Sequence, residues 1–407
     1  MRLLPIGFVF ALAACDFEIV DASRSSAPDP HASPGASSVD RGSDPDPGCD
    51  VTVDRWKELL VIHRSVLMDR RARNDVPHAP WSFRTRMEEL AGDADVTSFV
   101  ASWIDQWRTV ERVGPDAAPV TPRPAAARVL AHADLAHLPF RLIAIVNRLD
   151  LKDGELRFVY TATDAGGAAL AMTVIVEVPY PATRTPEEWA ARWHALAAEP
   201  FGASYTDALA ALTTEVTSAA DPRGIRVRTN EIALGEDAGL PWELRGFALD
   251  GAAYGRRLVH VPLVTTPRMD LARSPSLDSW IRENEARVRA GNHVLPGPFQ
   301  AGAAEMATSW FRWESSELPD DLREAFSRST CNGCHGGERE GDPLRFQHLA
   351  PFDAPGPYYG SQTGETQVSR WLHDPSGRDD ELGRRSRILA RALCSTSGGN
   401  GYASAAR

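Results

Sequence analysis

The chain has five cysteines, and two of them stand three positions apart with a histidine directly after: Ser329 to Glu338 reads STCNGCHGGE. Residues three apart in a helical turn share a face, so Cys331 and Cys334 present two sulfurs side by side and His335 turns its imidazole the same way. Two thiols so placed can add to neighbouring vinyl groups of one porphyrin while the imidazole takes the iron. Covalent haem is therefore the first chemistry the segment supports. A structural zinc site using Cys331, Cys334 and histidines is a second, although no further CxxC or HxxxH pair stands at finger spacing. A redox-active or structural disulfide is a third, although thioredoxin-like CxxC motifs follow a strand and this one follows a helical pattern.

That helical pattern begins at Leu318-Pro319-Asp320-Asp321, where proline sits near the first position and two carboxylates face the positive end of the helix dipole. Leu322, Ala325, Phe326 and Ser329 form its inward stripe and deliver the chain to the motif. FSRSTCNGCHGGE resembles the helix-and-CxxCH segment that opens many c-type cytochromes. The resemblance implies one haem c, thioethers at Cys331 and Cys334, and His335 as proximal ligand. It is local, because small cytochromes c place a methionine ligand after the motif. Here the six methionines, Met1, Met68, Met87, Met172, Met269 and Met306, all precede Cys331. The sixth position therefore falls to His348 first, in PLRFQHLAPF, then to His373 in RWLHDP, then to Met306, or stays open or water-ligated. The plainer reading makes both histidines ordinary loop residues.

Haem is attached outside the cytoplasm, and the N-terminus independently reads as an export signal. MRLLPIGFVFALAAC has one basic residue, Arg2, and an apolar run from Leu3 to Ala14 too short to span a bilayer as a permanent helix. Its end, Leu12-Ala13-Ala14-Cys15, resembles the lipobox of bacterial lipoproteins, which implies cleavage before Cys15, a lipid thioether on it, and anchoring to a membrane facing the periplasm. Asp16 resembles an inner-membrane retention signal used in some bacteria, which leaves inner and outer membrane both open. Residues 16–48 are rich in Ser, Pro, Asp, Ala and Gly with few large apolar residues, as in a flexible tether.

In an oxidising compartment the remaining cysteines carry information. With Cys15 lipidated and Cys331 and Cys334 in the motif, Cys49 and Cys394 are left as an even remainder. A disulfide between them would staple the start of the folded body to its last helix, against the alternative of free or buried thiols.

The body predicts an α+β fold: helices plus a mainly antiparallel sheet, followed by a small, mostly helical haem segment. Apolar residues at helical spacing mark WKELLVIHRSVLMDRR, FRTRMEELAG and VTSFVASWIDQWRTV. FRLIAIVNRLDL, ELRFVYTATD and ALAMTVIVEVPY read as strands, with DAGGA turning the last two into a hairpin. Two helical patterns, PEEWAARWHALAA and YTDALAALTTEV, precede strands in IRVRTNEIAL, WELRGFALD and RLVHVPLVTT, and SLDSWIRENEARVRAG is helical again. The expected divisions are a signal peptide at 1–14, lipidated cysteine and tether at 15–48, an α+β domain at 49–315 and a cytochrome c-like segment at 316–407. No repeat of 20 to 50 residues and no glycine-rich phosphate loop appears. A net charge of −11, and no basic cluster interleaved with aromatics, argue against nucleic acid as a partner.

PFRLIAIVNRLDL, RTNEIAL, PWELR and TCNGCHGGE together resemble a group of uncharacterised lipoproteins from myxobacteria and related bacteria. Those proteins place an FxH element after CxxCH, matched by Phe346-Gln347-His348. They often read GxET after the histidine, where this chain has Gly337-Glu338-Arg339. The resemblance implies no activity. Asn147, Arg148 and Asp150, with Arg228, Asn230 and Glu231, are polar residues inside strands; a structural charge network is the first reading of them and a binding cleft the second. No Ser-His-Asp, HExxH or paired-carboxylate motif nominates a catalytic residue. Three functions stay open: a membrane-tethered monohaem electron-transfer protein with an unidentified redox partner, a peroxidase-like haem enzyme or sensor with an open distal site, and a haem-free binding lipoprotein with a CxxC disulfide.

Overall fold

The computed structural model describes residues 51–108, 129, 137–151, 154–164, 166–231, 242–250, 256–291, 293–306, 311–336, 347–351, 366–376 and 380–397. The signal peptide, Cys15, the tether and Cys49 lie outside the described residues, as does the Met306 side chain.

Long β-branched and aromatic runs form the predicted antiparallel sheet. Its strands are β1 (Leu60–Val61), β2 (Phe140–Asn147), β3 (Glu155–Thr163), β4 (Ala169–Pro179), β5 (Arg226–Glu231), β6 (Trp242–Leu249), β7 (Leu258–Val261) and β10 (Ala304–Met306). They run in the order β1-β2-β3-β4-β5-β6-β10, with β7 also on β6, and every pairing is antiparallel. Two further ribbons pair β8 (Leu263–Pro267) with β9 (Gln300–Ala301) and β11 (Leu349–Pro351) with β12 (Thr366–Val368). The fold is α+β. The DAGGA turn closes the β3–β4 hairpin, with the Asp164 carboxylate accepting from the amides of Gly166 and Ala168.

Register assigns the two faces of the sheet. Phe158, Val176, Val227 and Phe247 stand in one row across four strands. That row is fully buried against α2 (Phe83–Ala91), α3 (Val96–Arg108), α4 (Pro186–Ala195) and α5 (Ala203–Ala219), which share one core with it. Tyr160, on the same face, donates its hydroxyl to the carbonyl of Trp81, whose indole N–H donates to Thr213 of α5. The alternate row, Ala144, Val159, Ile175, Arg228 and Gly246, faces the other way, as do Trp242 and Leu244 by the alternation along β6. This second face meets the C-terminal part of the chain.

Two elements depart from the sequence pattern. WKELLVIHRSVLMDRR is not one helix: a π-helical turn at Arg55–Leu59, the strand β1, the short α1 (Arg64–Leu67) and a 3₁₀ turn at Arg70–Ala72 replace it. Leu59 to Ile62 are four consecutive buried residues, and β1 pairs with the edge of β2, so tertiary pairing overrides helical spacing. RLVHVPLVTT splits between β7 on the main sheet and β8 on its own ribbon. SLDSWIRENEARVRAG forms α6 (Pro275–Glu283) and α7 (Glu285–Arg289), interrupted at Asn284.

Asp40–Arg407 is one compact unit. The described residues of 316–407 are shared between its cores. Leu322 and Phe326 of α8 (Asp320–Arg328) join a cluster with Leu277 and Ile281 of α6 and Trp313. Leu349, Val368 and, from α10 (Glu381–Ser397), Leu382, Leu389 and Leu393 belong to the main core. Among the described residues no helix is long and apolar enough to cross a membrane.

Candidate functional site

The motif forms its own short helix, α9 (Cys331–Gly336), directly after α8. Thr330 caps it: its hydroxyl oxygen accepts from the amide of Gly333 at 3.1 Å and the hydroxyl donates to the Ser327 carbonyl at 2.7 Å. Buried Trp313 braces the corner, its indole N–H shared between Thr330 Oγ1 at 2.9 Å and Asn332 Oδ1 at 3.0 Å. Gly333 passes so close to α8 that a Cβ there would lie 2.1 Å from the Ser327 carbonyl oxygen. Only glycine suits that contact.

The remaining face of α9 turns to the second face of the sheet. Cys331 packs against Trp242, Leu244, Leu263 and Ala304, and its amide donates to Thr266 of β8 at 2.9 Å. The His335 ring stacks on Trp242, with centroids 5.0 Å apart and planes 30° apart. Trp242 is itself fixed, because its indole N–H donates to Asn230 at 2.7 Å in a buried bond. Arg228 is paired with Glu177 at 3.0 Å, and that pairing is the main cause holding its pKa above the ordinary arginine value.

His348, thirteen residues beyond His335, reaches the same place from β11–β12. Its ring centroid is 4.3 Å from that of His335 and 4.1 Å from that of Trp371. Trp242, His335, His348 and Trp371 thus form one column of rings with the two imidazoles at its centre. His348 Nε2 lies 3.5 Å from Cys334 Sγ, and His348 Nδ1 lies 3.2 Å from Ser369 Oγ. The tautomer protonated at Nδ1 donates to Ser369 and leaves the Nε2 lone pair facing the sulfur. The hairpin that carries His348 is anchored: Ser369 N–H donates to the His348 carbonyl at 3.0 Å, and the Thr366 hydroxyl donates at 2.7 Å to the carbonyl of Ile143, at an irregularity in β2.

The structure brings Cys331, Cys334, His335 and His348 together. His373 is engaged elsewhere, with Nδ1 at 3.1 Å from Asp380 and its ring edge-on to Trp56. Cys331 and Cys334 are not joined by a disulfide. Among the described residues no group of three or more His, Cys, Asp or Glu is arranged to hold a metal ion, so the zinc reading gains nothing. Cys394 is disulfide-bonded, and the cysteine it bonds lies outside the described residues.

The polar strand residues divide between roles. Asn147 accepts from Tyr180 and donates to the Glu58 carbonyl, and Arg148 pairs with Asp150; both are scaffold contacts. Asn230 instead supports the ring column through Trp242. Sequence reasoning missed Trp242, Trp371, Ser369 and Trp313, which lie far from the motif in sequence or carry no spacing signal. Thr330 was readable, being a capping residue immediately before a helical turn. No protein-family model, curated protein or solved structure matches the chain.

Proposed function

We propose that the protein is an exported, lipid-anchored carrier of one covalent haem c that transfers electrons, with thioethers at Cys331 and Cys334, His335 as proximal ligand and His348 as distal ligand. The observation that supports it most is the convergence of His348, from a separate hairpin, on the face of α9 that carries Cys334 and His335. Two imidazoles would leave a bound haem iron coordinatively full, suited to moving electrons rather than binding a substrate at the metal. The two rings are 4.3 Å apart and would have to part to admit a haem. The haem would supply the redox chemistry; the chain's part is to fix both imidazoles, His335 against Trp242 and His348 through Ser369, and to shield them with tryptophans. Cys15 would supply the membrane anchor, and the acidic surface would suit a basic redox partner protein.

The test is a haem stain after denaturing electrophoresis of the full chain matured in an exporting host, with absorption spectra of wild type and His348→Ala. A stained band that disappears in the Cys331→Ala/Cys334→Ala double variant, and a low-spin spectrum that becomes high-spin in His348→Ala, are expected. A colourless wild-type band removes the reading, and an unchanged low-spin spectrum in His348→Ala removes His348 as ligand. Cys15→Ala is expected to move the protein from the membrane to the soluble fraction.

A further inference from the structure

We infer that Met269 is a reversible oxidation site whose sulfoxide oxygen is received by the side-chain amide of Asn332, so that a peroxide in the surroundings is read by the motif helix α9. The inference uses neither a haem nor the residues proposed to hold one.

A methionine sulfur is oxidised where a reagent can reach it. Met87 and Met172 are fully buried, whereas the Met269 residue is 47% exposed. Its sulfur also has a specific neighbour: Asn332 Nδ2 donates to Met269 Sδ at 3.3 Å. Asn332 is buried and its amide has one orientation. Oδ1 accepts from the Trp313 indole N–H at 3.0 Å and from the Gly333 amide at 3.1 Å, so Nδ2 must face Met269. A buried amide donor is thus spent on a thioether, which is a weak acceptor. A sulfoxide oxygen is a polar acceptor that suits the same donor better.

The turn beneath the side chain is held. Arg268 donates its amide to the Phe299 carbonyl at 3.0 Å and its Nε to Asp270 at 2.9 Å, and the Met269 carbonyl accepts from the Ala272 amide at 3.1 Å. Adjustment therefore falls to the flexible side chain of Met269. In the oxidation, a sulfur lone pair attacks one oxygen of hydrogen peroxide; the S–O bond forms, the O–O bond breaks, and the other oxygen leaves as water after taking the remaining proton. Sulfur loses two electrons and the peroxide gains them. A dithiol reductant reverses the step, becoming a disulfide and releasing the oxygen as water. The two lone pairs of the sulfur lead to the two sulfoxide epimers. Asn332 covers one pair, so oxygen enters at the other, and rotation at the end of the side chain then brings it to Nδ2.

The experiment treats the full chain with dilute hydrogen peroxide, digests it, and divides the Met269 peptide between two sulfoxide reductases that each accept one epimer. One epimer is expected in excess by roughly threefold, the factor that a weak hydrogen bond supplies. Asn332→Asp keeps the acceptor for Trp313 and Gly333 but loses the donor to sulfur, and should bring the epimers to equal amounts. Hydrogen exchange gives a second measurement on chains with the native Asn332. After oxidation the amides of residues 269–272 and of α9 should exchange more slowly than before, by roughly threefold, and Met269→Leu treated in the same way should show no such slowing. Oxidation of Met269 no faster than that of buried Met87, equal epimers in wild type, an excess that survives Asn332→Asp, or exchange that is unchanged or faster after oxidation would each overturn the inference.

Discussion

Gly333 and Ser327 are in backbone contact. The position a Cβ of residue 333 would take lies 2.1 Å from the Ser327 carbonyl oxygen and 2.5 Å from its hydroxyl, so α8 and α9 meet without room for a methyl group. The CxxCH spacing leaves residue 333 unspecified, and the fold specifies it.

Gly333→Ala therefore forces α9 away from α8, and the displacement reaches Cys334 and His335, the next two residues of the same turn. Overpacking of this kind costs about 1–3 kcal/mol. Urea denaturation should show that loss, and haem staining of the variant should fall with it. Stability and staining equal to wild type would show that the corner adjusts freely.

Trp242→Phe keeps a ring against His335 but removes the N–H that Asn230 accepts at 2.7 Å. A buried acceptor left without its donor costs about 1–3 kcal/mol. Trp242→Phe with Asn230→Leu removes both polar partners and should recover part of that loss. Thermal unfolding of these two variants and of Asn230→Leu alone measures it, and additive losses would show that the bond carries no coupling energy.

How far the sequence discloses this arrangement depends on how local each signal is. The β3–β4 hairpin, the antiparallel sheet and the helix leading to Cys331 follow from alternation, turn residues and capping within a dozen positions. Cys331, Cys334 and His335 are legible because their spacing is the chemistry. Leu59 to Ile62 read as helix from spacing alone, because the partner of Leu60 and Val61 is β2, more than 80 residues away. Trp242 and Ser369 were invisible for the same reason: each is an ordinary strand-end residue until folding sets it beside a motif that lies elsewhere in the chain. His348 stood between the cases, suggested by the absence of later methionines and brought to Cys334 only by the β11–β12 register.

Cys394 lies on α10, which packs into the main core. Non-reducing peptide mapping should recover it joined to Cys49, and Cys394→Ser should lower stability by about 2–5 kcal/mol. A Cys394 peptide joined to Cys331 or Cys334 would contradict the structure.

Asp150 fastens α10 to the end of β2. It takes a two-pronged contact from Arg148 at 2.8 and 3.1 Å and a third from Arg384 at 2.6 Å, with Arg385 at 4.0 Å. Burial alone would raise its pKa, but Arg148 and Arg385, then Arg384, hold it well below the carboxylate range. On α10 itself, burial of Glu381 is likewise overcome by Arg384 and Arg385, which push its pKa down to about 2. Depressed folded-state values mean that the stabilisation from both groups is complete above the unfolded carboxylate pKa of about 4 and is lost as pH falls through the folded values. For Glu381 the loss runs from about pH 4 towards about pH 2, and for Asp150 it continues lower. Asp150→Asn takes the two-pronged carboxylate partner from buried Arg148, so it should cost about 3–5 kcal/mol at pH 7. Arg384→Ala, at a half-exposed side chain, should cost about 0–1 kcal/mol. Urea denaturation of wild type and both variants at pH 7 and pH 3 tests this. Wild type should lose more stability between the two pH values than Asp150→Asn, because the variant has already lost the Asp150 contribution, and parallel losses would mean that the buried carboxylate does not hold the helix.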